Sequence, residues 1–223
     1  MWQIDDQGVY RSSLLGEFPW LEHGFGSRRS RNWPRGARAT LKQIHSNRSL
    51  VVAGCDGVAG EADALITTEP GQLVSVKTAD CLPLLMVSAQ PRVVAAIHAG
   101  WRGTAANIAG ETLRRLRQEF GVTPADVSVA IGPGIGPCCY EVGPEVLAQF
   151  RELMPGLMGG NGKGMLDLAE ANRRQLLREG VCAEQIEAGA PCTCCTVGEF
   201  FSYRRSPGEP GRMVSAIAIR DGE

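Results

Sequence analysis

Short apolar runs bounded by glycine, proline and polar residues dominate the middle of the chain and predict β-strands. Within residues 73–78 apolar and polar positions alternate, which places Val74 and Val76 on one face of a strand. Runs 82–87 and 93–98 are apolar throughout and are joined by a short polar segment, as expected of a hairpin buried on both faces. Further strands are predicted at residues 50–53, 64–67, 127–131 and 213–219.

Helical spacing of apolar residues begins after the hairpin. We expect a helix with Thr104 as N-cap, apolar positions up to Phe120, and Gly121 at its end. Similar patterns predict helices over residues 144–154 and 166–179. Because strands and helices come in mixed order without regular β-α-β alternation, we expect an α+β fold with layered mixed sheets flanked by helices.

Composition narrows the class of protein. The 223 residues are 43% hydrophobic and 21% charged, as is usual for a soluble globular protein of one large or two small domains. A net charge of -1 gives no overall field that would favour nucleic acid or an acidic membrane as partner. The start of the chain lacks a signal-peptide pattern, and no apolar run has the length of a membrane span. We therefore expect a cytoplasmic protein whose eight cysteines are reduced, so that clustered ones favour metal binding or catalysis.

Candidate chemistry concentrates in His45, Cys81 and His98, which lie in glycine-rich or polar segments beside apolar runs. Two imidazoles and one thiolate are ligands that zinc accepts, and they leave a fourth tetrahedral position open, as in catalytic zinc sites. Taken singly, each of the three also fits an ordinary packed or exposed residue. Asp80, next to Cys81, is a candidate to orient a histidine or to act as a general base.

Four other segments leave alternatives open. Residues 28–38 form a basic loop that is either solvated or an anion-facing lid. Residues 131–137 are rich in glycine and proline, but the prolines remove N–H donors and exclude a dinucleotide-binding loop. The pair Cys138-Cys139 is expected to be structural, whereas residues 192–195 lack a partner pair at zinc-finger spacing, which favours adventitious metal or reactive thiols. Residues 200–205 combine aromatics and arginines, either as a core edge or as substrate contacts.

A set of motifs in fixed order resembles the YfiH-like family, formerly called laccase-domain or multicopper polyphenol oxidases. The motifs are Q-I-H-S, A-D-A-L-I-T, T-A-D-C-L-P, I-H-A-G-W-R-G, G-P-x-I-G-P-C-C-Y-E-V and F-S-Y-R-R, between about residues 24 and 219. The resemblance implies a single catalytic domain over residues 1–223. It also implies a layered α/β/β/α sandwich, shared with the catalytic domain of cytotoxic necrotizing factor, and a zinc ion held by His45, Cys81 and His98.

The same resemblance implies chemistry on small molecules. The expected reactions are phosphorolysis of adenosine, inosine, guanosine and methylthioadenosine, together with deamination of adenosine, so the partners are nucleosides and phosphate. Members are also linked to editing of peptidoglycan precursors. We take as candidate substrate contacts Gln43, Asp80, Arg102, Tyr140 and Arg204.

The chain departs from the family pattern in two places. It lacks a Gly/Asn-rich insertion between Arg28 and Gln43, and residues 192–195 are unusually rich in cysteine.

Three other functions compete with this one. A metal-free cysteine hydrolase or amidase would use Cys81 as nucleophile and His98 or His45 as base. A multicopper oxidase needs about ten histidines, which three cannot supply, although one copper in place of zinc leaves a laccase-like polyphenol oxidase activity open. A binding domain with a structural zinc is disfavoured by the open fourth position.

Overall fold

Two mixed β-sheets packed face to face form the centre of the molecule in the computed structural model, which describes residues 1–157, 162–209 and 211–221. In chain order the strands are β1 (Trp2–Ile4), β2 (Tyr10–Ser12), β3 (Leu21–Phe25), β4 (Arg38–Lys42), β5 (Ser49–Val51), β6 (Gly57–Glu61), β7 (Ala64–Thr67), β8 (Leu73–Thr78), β9 (Leu82–Ala89), β10 (Arg92–Ala99), β11 (Val127–Ile131), β12 (Glu141–Val142), β13 (Gly164–Met165), β14 (Ile186–Glu187) and β15 (Met213–Ile219). The helices are α1 (Trp101–Ala105), α2 (Ile108–Phe120), α3 (Pro144–Phe150) and α4 (Leu168–Arg178).

Both large sheets combine parallel and antiparallel pairs. The seven-stranded sheet has the order β1-β2-β3-β15-β8-β4-β6, and the six-stranded sheet has the order β14-β11-β9-β10-β7-β5. In the first, β8 pairs parallel with β4 and antiparallel with β15; in the second, β7 pairs parallel with β5 and antiparallel with β10. The expected α+β class with layered mixed sheets is confirmed.

The central hairpin is buried on both faces, as its unbroken apolar runs predict. Along β10, Val94 and Ala96 pack into the core between the two sheets, whereas Val93, Ala95 and Ile97 belong to the core under the helices. This alternation follows from the two-residue period of a strand. The hairpin β9–β10 therefore joins the two hydrophobic cores.

All four of these helices contribute to the core on the outer face of the six-stranded sheet. On the opposite side of the sandwich, the outer face of the seven-stranded sheet carries a small cluster in which Trp33 packs on Leu73, Ala216 and Ala218. None of the helices in the described part of the chain has the length and hydrophobicity of a membrane-spanning segment.

The single helix expected from Thr104 to Phe120 is instead two helices. Asn107 has a left-handed backbone (φ 60°), which ends the path of α1 and starts α2 at Ile108. Asparagine tolerates this conformation better than most residues. Thr104 is therefore not the N-cap: it is buried within α1, and its hydroxyl accepts a hydrogen bond from Asn172.

Candidate active site and metal centre

The three candidate ligands meet where the two sheets end side by side. His45 follows β4, Cys81 lies between β8 and β9, and His98 is the penultimate residue of β10. Their ligand atoms all lie within 4.8 Å of one another, and Cys81 Sγ is 3.9 Å from His45 Nε2. The two imidazole rings stand edge to face with centroids 4.8 Å apart. A single ion placed among them would be within reach of all three side chains.

A fully buried carboxylate, Asp63, organises this cluster, and our sequence analysis did not identify it. Its Oδ1 lies 2.8 Å from His98 Nδ1 and accepts a hydrogen bond from the backbone N–H of His45. Its Oδ2 accepts from the backbone N–H groups of Ile44 and Ser46 and from the Ser46 hydroxyl. Asp63 therefore fixes both the loop that carries His45 and the ring of His98.

Asp80 is the residue that the sequence suggested for this orienting role, but in the structure it has different partners. Its Oδ1 accepts a hydrogen bond from Thr193 Oγ1 at 2.7 Å, and its Oδ2 accepts one from the backbone N–H of Arg204 at 2.7 Å. Asp80 thus ties the segment before Cys81 to the C-terminal loops. The signal for Asp63 was present in the motif A-D-A-L-I-T, where a charged residue directly precedes a buried strand.

Backbone geometry at the cluster is tightly constrained. His45 has a left-handed backbone (φ 59°), which costs a non-glycine residue about 1–3 kcal/mol and persists only when neighbours hold it. Gly100 lies directly against the cluster: a Cβ there would be 2.9 Å from Cys81 Sγ and 3.0 Å from His45 Cδ2. Any larger residue at this turn would therefore displace one or both of these side chains.

Cys81 and His98 shift each other's pKa. Burial raises the pKa of the Cys81 thiol, but hydrogen bonds with His45 and His98 outweigh it and lower that pKa from 9.0 to about 6. Burial lowers the pKa of His98, but hydrogen bonds with Asp63 and Cys81 outweigh it and raise that pKa from 6.5 to about 9. Without metal, both directions favour a thiolate–imidazolium pair near neutral pH.

The donor set fits a borderline-soft metal ion. One thiolate and two imidazoles match zinc, and a thiolate with a lowered pKa is already in the ligating form. The Asp63 carboxylate lies at hydrogen-bond distance from His98 Nδ1, which would leave Nε2 of that ring available to bind an ion, an arrangement found around most metal-bound histidines.

A cleft of about 660 Å³ opens over the cluster. Every residue proposed from the sequence lines it, namely Gln43, His45, Asp80, Cys81, His98, Arg102, Tyr140 and Arg204. Further lining residues include the aromatics Trp101 and Tyr203 and the cations Lys77 and Arg212. Aromatic and positively charged side chains thus line the same cleft as the candidate metal centre.

The lining residues differ in how free their polar atoms are. The amide of Gln43 is occupied, because it donates to Lys77 O and accepts from Lys77 N, both at 2.8 Å. Arg204 donates to the carbonyls of Cys139 and Glu141. The guanidinium of Arg102 stacks on Trp101 and makes no hydrogen bond or ion pair with a side chain or backbone group of the described residues.

The basic loop at residues 28–38 does not line this cleft. Arg28 pairs with Glu209 at 2.6 Å, and Arg29 pairs with Glu199 at 3.0 Å. Both arginines therefore tie the loop to the segment 199–209 and do not form a lid over the candidate centre.

The thiols at residues 138–139 and 192–195, which the sequence analysis treated separately, lie side by side. Sγ of Cys195 is 3.2 Å from Sγ of Cys138 and 3.1 Å from Sγ of Cys139, and Cys192 Sγ accepts a hydrogen bond from Gly136 N. Spacing along the chain could not reveal this, because the fold brings together two turns more than 50 residues apart.

Comparison with known proteins defines the family. The family model for the multi-copper polyphenol oxidoreductase laccase matches residues 28–220. The chain belongs to this family. This confirms the resemblance drawn from the sequence motifs.

Two curated relatives carry enzyme names. The purine nucleoside phosphorylase of Bacteroides thetaiotaomicron is 45% identical over 163 residues, or 70% of this chain and 60% of that protein. This chain therefore spans three fifths of that relative's length. Adenosine deaminase RL5, from an unknown prokaryotic organism, is 37% identical over 195 residues, covering 79% of this chain and 72% of that protein.

Two crystal structures share the fold over almost their whole length. Bacillus licheniformis hypothetical protein YfiH superposes with a TM-score of 0.88 at 26% identity, covering 98% of this chain and 99% of that one. YlmD from Geobacillus stearothermophilus superposes with a TM-score of 0.87 at 28% identity, covering 99% of each chain.

Proposed function

We propose that this protein is a zinc-dependent purine nucleoside phosphorylase that also deaminates adenosine, working as one catalytic domain over residues 1–223. The observation that carries the proposal is the convergence of His45, Cys81 and His98 at a cleft lined by aromatic and cationic side chains. The names of the Bacteroides relative and of RL5 support the same two reactions.

Zinc is the proposed metal because two imidazoles and a thiolate leave one coordination position open to reactants. When bound, zinc supplies Lewis acidity, which makes an oxygen nucleophile reactive near neutral pH. The protein's part is to hold the ligands: Asp63 orients His98 and, through the backbone of His45, fixes the position of the second imidazole.

Phosphate and purine have matching partners in the cleft. Arg102, which has no anionic partner among the described residues, and Lys77 offer positive charge for phosphate oxygens. Trp101 and Tyr140 offer faces for stacking of the base. Burial raises the pKa of Tyr140 to about 12, so this phenol keeps its proton at neutral pH and can donate a hydrogen bond to the base.

The two proposed reactions differ in the nucleophile, in the carbon attacked and in the leaving group. In phosphorolysis a phosphate oxygen bonds to C1′ of the ribose while the C1′–N9 bond breaks, and the purine leaves after taking up a proton. In deamination a water oxygen bonds to C6 of adenosine and the amino group leaves as ammonia. Small-molecule nucleosides, phosphate and water are therefore the proposed partners.

The test is chromatography of adenosine and inosine after incubation with the purified protein, with and without phosphate. Free base that appears only with phosphate supports phosphorolysis, and inosine formed from adenosine without phosphate supports deamination. Cys81→Ala should abolish both products, whereas Cys182→Ala, which removes an exposed thiol with no contact to the site, should abolish neither. Absence of turnover of both nucleosides by wild-type protein loaded with zinc would contradict the proposal.

A cysteine hydrolase or amidase, as in peptidoglycan precursor editing, is the second candidate. The observation in its favour is the lowered pKa of Cys81 beside the raised pKa of His98, because a thiolate next to an imidazolium is an activated nucleophile. Its test is mass spectrometry of metal-free protein incubated with a muramyl peptide. An acyl adduct on Cys81 supports it, and zinc that resists strong chelation counts against it.

A copper-dependent polyphenol oxidase activity is a weaker third candidate, and it is favoured by the family description alone. Three histidines cannot hold several copper ions, so at most one copper would replace zinc at the same three ligands. Oxidation of a phenol by copper-loaded protein, but not by zinc-loaded protein, is its test. A cytoplasmic location stays a prediction from the sequence.

A further inference from the structure

A second group of thiols stands apart from the three ligands of the proposed catalytic centre. The Sγ atoms of four cysteines all lie within 4.8 Å of one another, namely Cys138, Cys139, Cys192 and Cys195. None of the four is in a disulfide, and Cys138 and Cys195 are exposed. Cys139 and Cys192 pack against the core under the helices, but packing in an apolar core does not explain why two exposed thiols join them.

We infer that these four cysteines bind one zinc ion as a closed structural site. Four thiolates are a usual donor set for structural zinc, with bonds of about 2.3 Å and therefore about 3.8 Å between sulfurs. The shortest sulfur separations here, 3.1 Å and 3.2 Å, need to increase by only about 0.6–0.7 Å to admit the ion. All four donors are sulfur, which selects zinc over magnesium or calcium.

The surroundings of Cys192 can stabilise a negatively charged sulfur. Its sulfur accepts a hydrogen bond from Gly136 N at 3.2 Å. Such N–H donors stabilise the charge of a metal-bound sulfur. At Gly136, an added Cβ would lie 3.3 Å from Cys192 Cβ and 3.4 Å from Cys138 Sγ, so a larger residue would crowd two ligands.

The site would fasten together two turns that form one wall of the cleft. Cys139 is followed by Tyr140, which lines the cleft, and Thr193 lies between the ligands Cys192 and Cys195. Thr193 N donates to Gly134 O at 2.9 Å, and its hydroxyl donates to the carboxylate of Asp80. The second zinc thus has a structural role beside the cleft, and the inference does not depend on which reaction the cleft catalyses.

The test is elemental analysis of zinc per chain in protein dialysed against a mild chelator. Wild-type protein should hold two zinc ions. The double variant Cys138→Ser/Cys195→Ser and the single variant Cys81→Ala should each hold one, because they lose different sites. Cys194→Ser is the matched control, since it lies in the same turn outside the cluster, and it should hold two.

Cobalt gives a readout independent of activity and of the double variant's folding. In Cys81→Ala protein, one equivalent of Co²⁺ should produce the intense sulfur-to-metal charge-transfer bands of a tetrathiolate. The double variant should also melt at a lower temperature than wild type if the ion joins the two turns.

Two results would overturn the inference. One is a wild-type stoichiometry of a single zinc that Cys81→Ala reduces to zero. The other is a disulfide among the four cysteines in freshly purified protein, detected as two missing thiols after alkylation under denaturing conditions. Either result leaves the nucleoside assay unaffected, so a failure here is distinct from a failure of the proposed function.

Discussion

Replacing Asp63 with asparagine tests the organisation of the cluster, because the carboxylate accepts hydrogen bonds on both of its oxygens. Oδ1 accepts a hydrogen bond from His45 N and contacts the ring of His98. Oδ2 accepts hydrogen bonds from the backbone N–H groups of Ile44 and Ser46 and from the Ser46 hydroxyl. An asparagine whose oxygen stays on the His98 side turns its NH₂ group toward two backbone N–H donors. The opposite orientation places NH₂ against His45 N and against the ring of His98.

The cost follows from the donors left without an acceptor. A buried unsatisfied donor costs about 1–3 kcal/mol, so two of them destabilise Asp63→Asn by about 2–6 kcal/mol. For a chain of this length, about 2–4 °C is lost per kcal/mol, so the melting temperature should fall by at least about 4 °C. Loss of the carboxylate behind a metal-bound histidine typically weakens metal affinity by about 10–100-fold.

The assays are thermal unfolding and zinc affinity by competition with a chelator. Asp80→Asn is the matched comparison, since this carboxylate also lies beside the cleft but bonds Thr193 and Arg204 in place of a histidine. We expect Asp80→Asn to change zinc affinity far less than Asp63→Asn. Wild-type affinity and melting temperature in Asp63→Asn would refute the assignment of the orienting role.

Three further predictions concern the same cluster and its cleft. Gly100→Ala should weaken zinc binding, because its Cβ would lie 2.9 Å from Cys81 Sγ, whereas Gly16→Ala, with no atom within 4 Å, should not; equal affinities in a chelator titration would contradict this. Arg102→Gln should raise the KM for phosphate by about 10–100-fold at an unchanged melting temperature, because a charged hydrogen bond contributes about 1.5–3 kcal/mol; an unchanged KM would remove Arg102 from the phosphate site. In metal-free protein the lowered pKa of Cys81 stabilises the fold fully above pH 9, and this stabilisation is lost as the pH falls through about 6. The raised pKa of His98 stabilises the fold fully below pH 6.5, and this stabilisation is lost as the pH rises through about 9. Alkylation of Cys81, followed by peptide mapping, should therefore reach half its maximal rate near pH 6, and a midpoint near 9 would contradict the thiolate–imidazolium pair.

The three candidate metal ligands could be predicted from the sequence because histidine is rare in this chain and the candidates lie at the ends of predicted strands. Two of the three histidines and one cysteine lay where apolar runs meet glycine or polar residues, and the family motifs surrounded them. Local pattern was also sufficient for the central strands, since β9 and β10 are apolar along their whole buried length. The strands of the first sixty residues were harder to predict, because short strands such as β1 and β6 contain no fully buried residue and so leave no apolar pattern in the sequence.

Roles that depend on partners distant in the chain could not be read from local pattern. Asp63 directly precedes the buried strand β7, and Asp80 directly precedes Cys81, so either could have been the partner of a histidine. Only the fold shows that Asp63 contacts His98 and that Asp80 contacts Thr193. The cysteines at 138–139 and 192–195 become one cluster only because two turns meet in space. The break before α2 depends on the left-handed backbone of Asn107, which helical periodicity does not reveal.

Anomalous diffraction at the zinc edge, from crystals soaked with inosine and phosphate, tests the central claim most directly. We expect an anomalous peak within bonding distance of His45, Cys81 and His98, and the base against Trp101 or Tyr140 in the same cleft. Absence of that peak in zinc-loaded protein, or nucleoside bound away from this cleft, would contradict it.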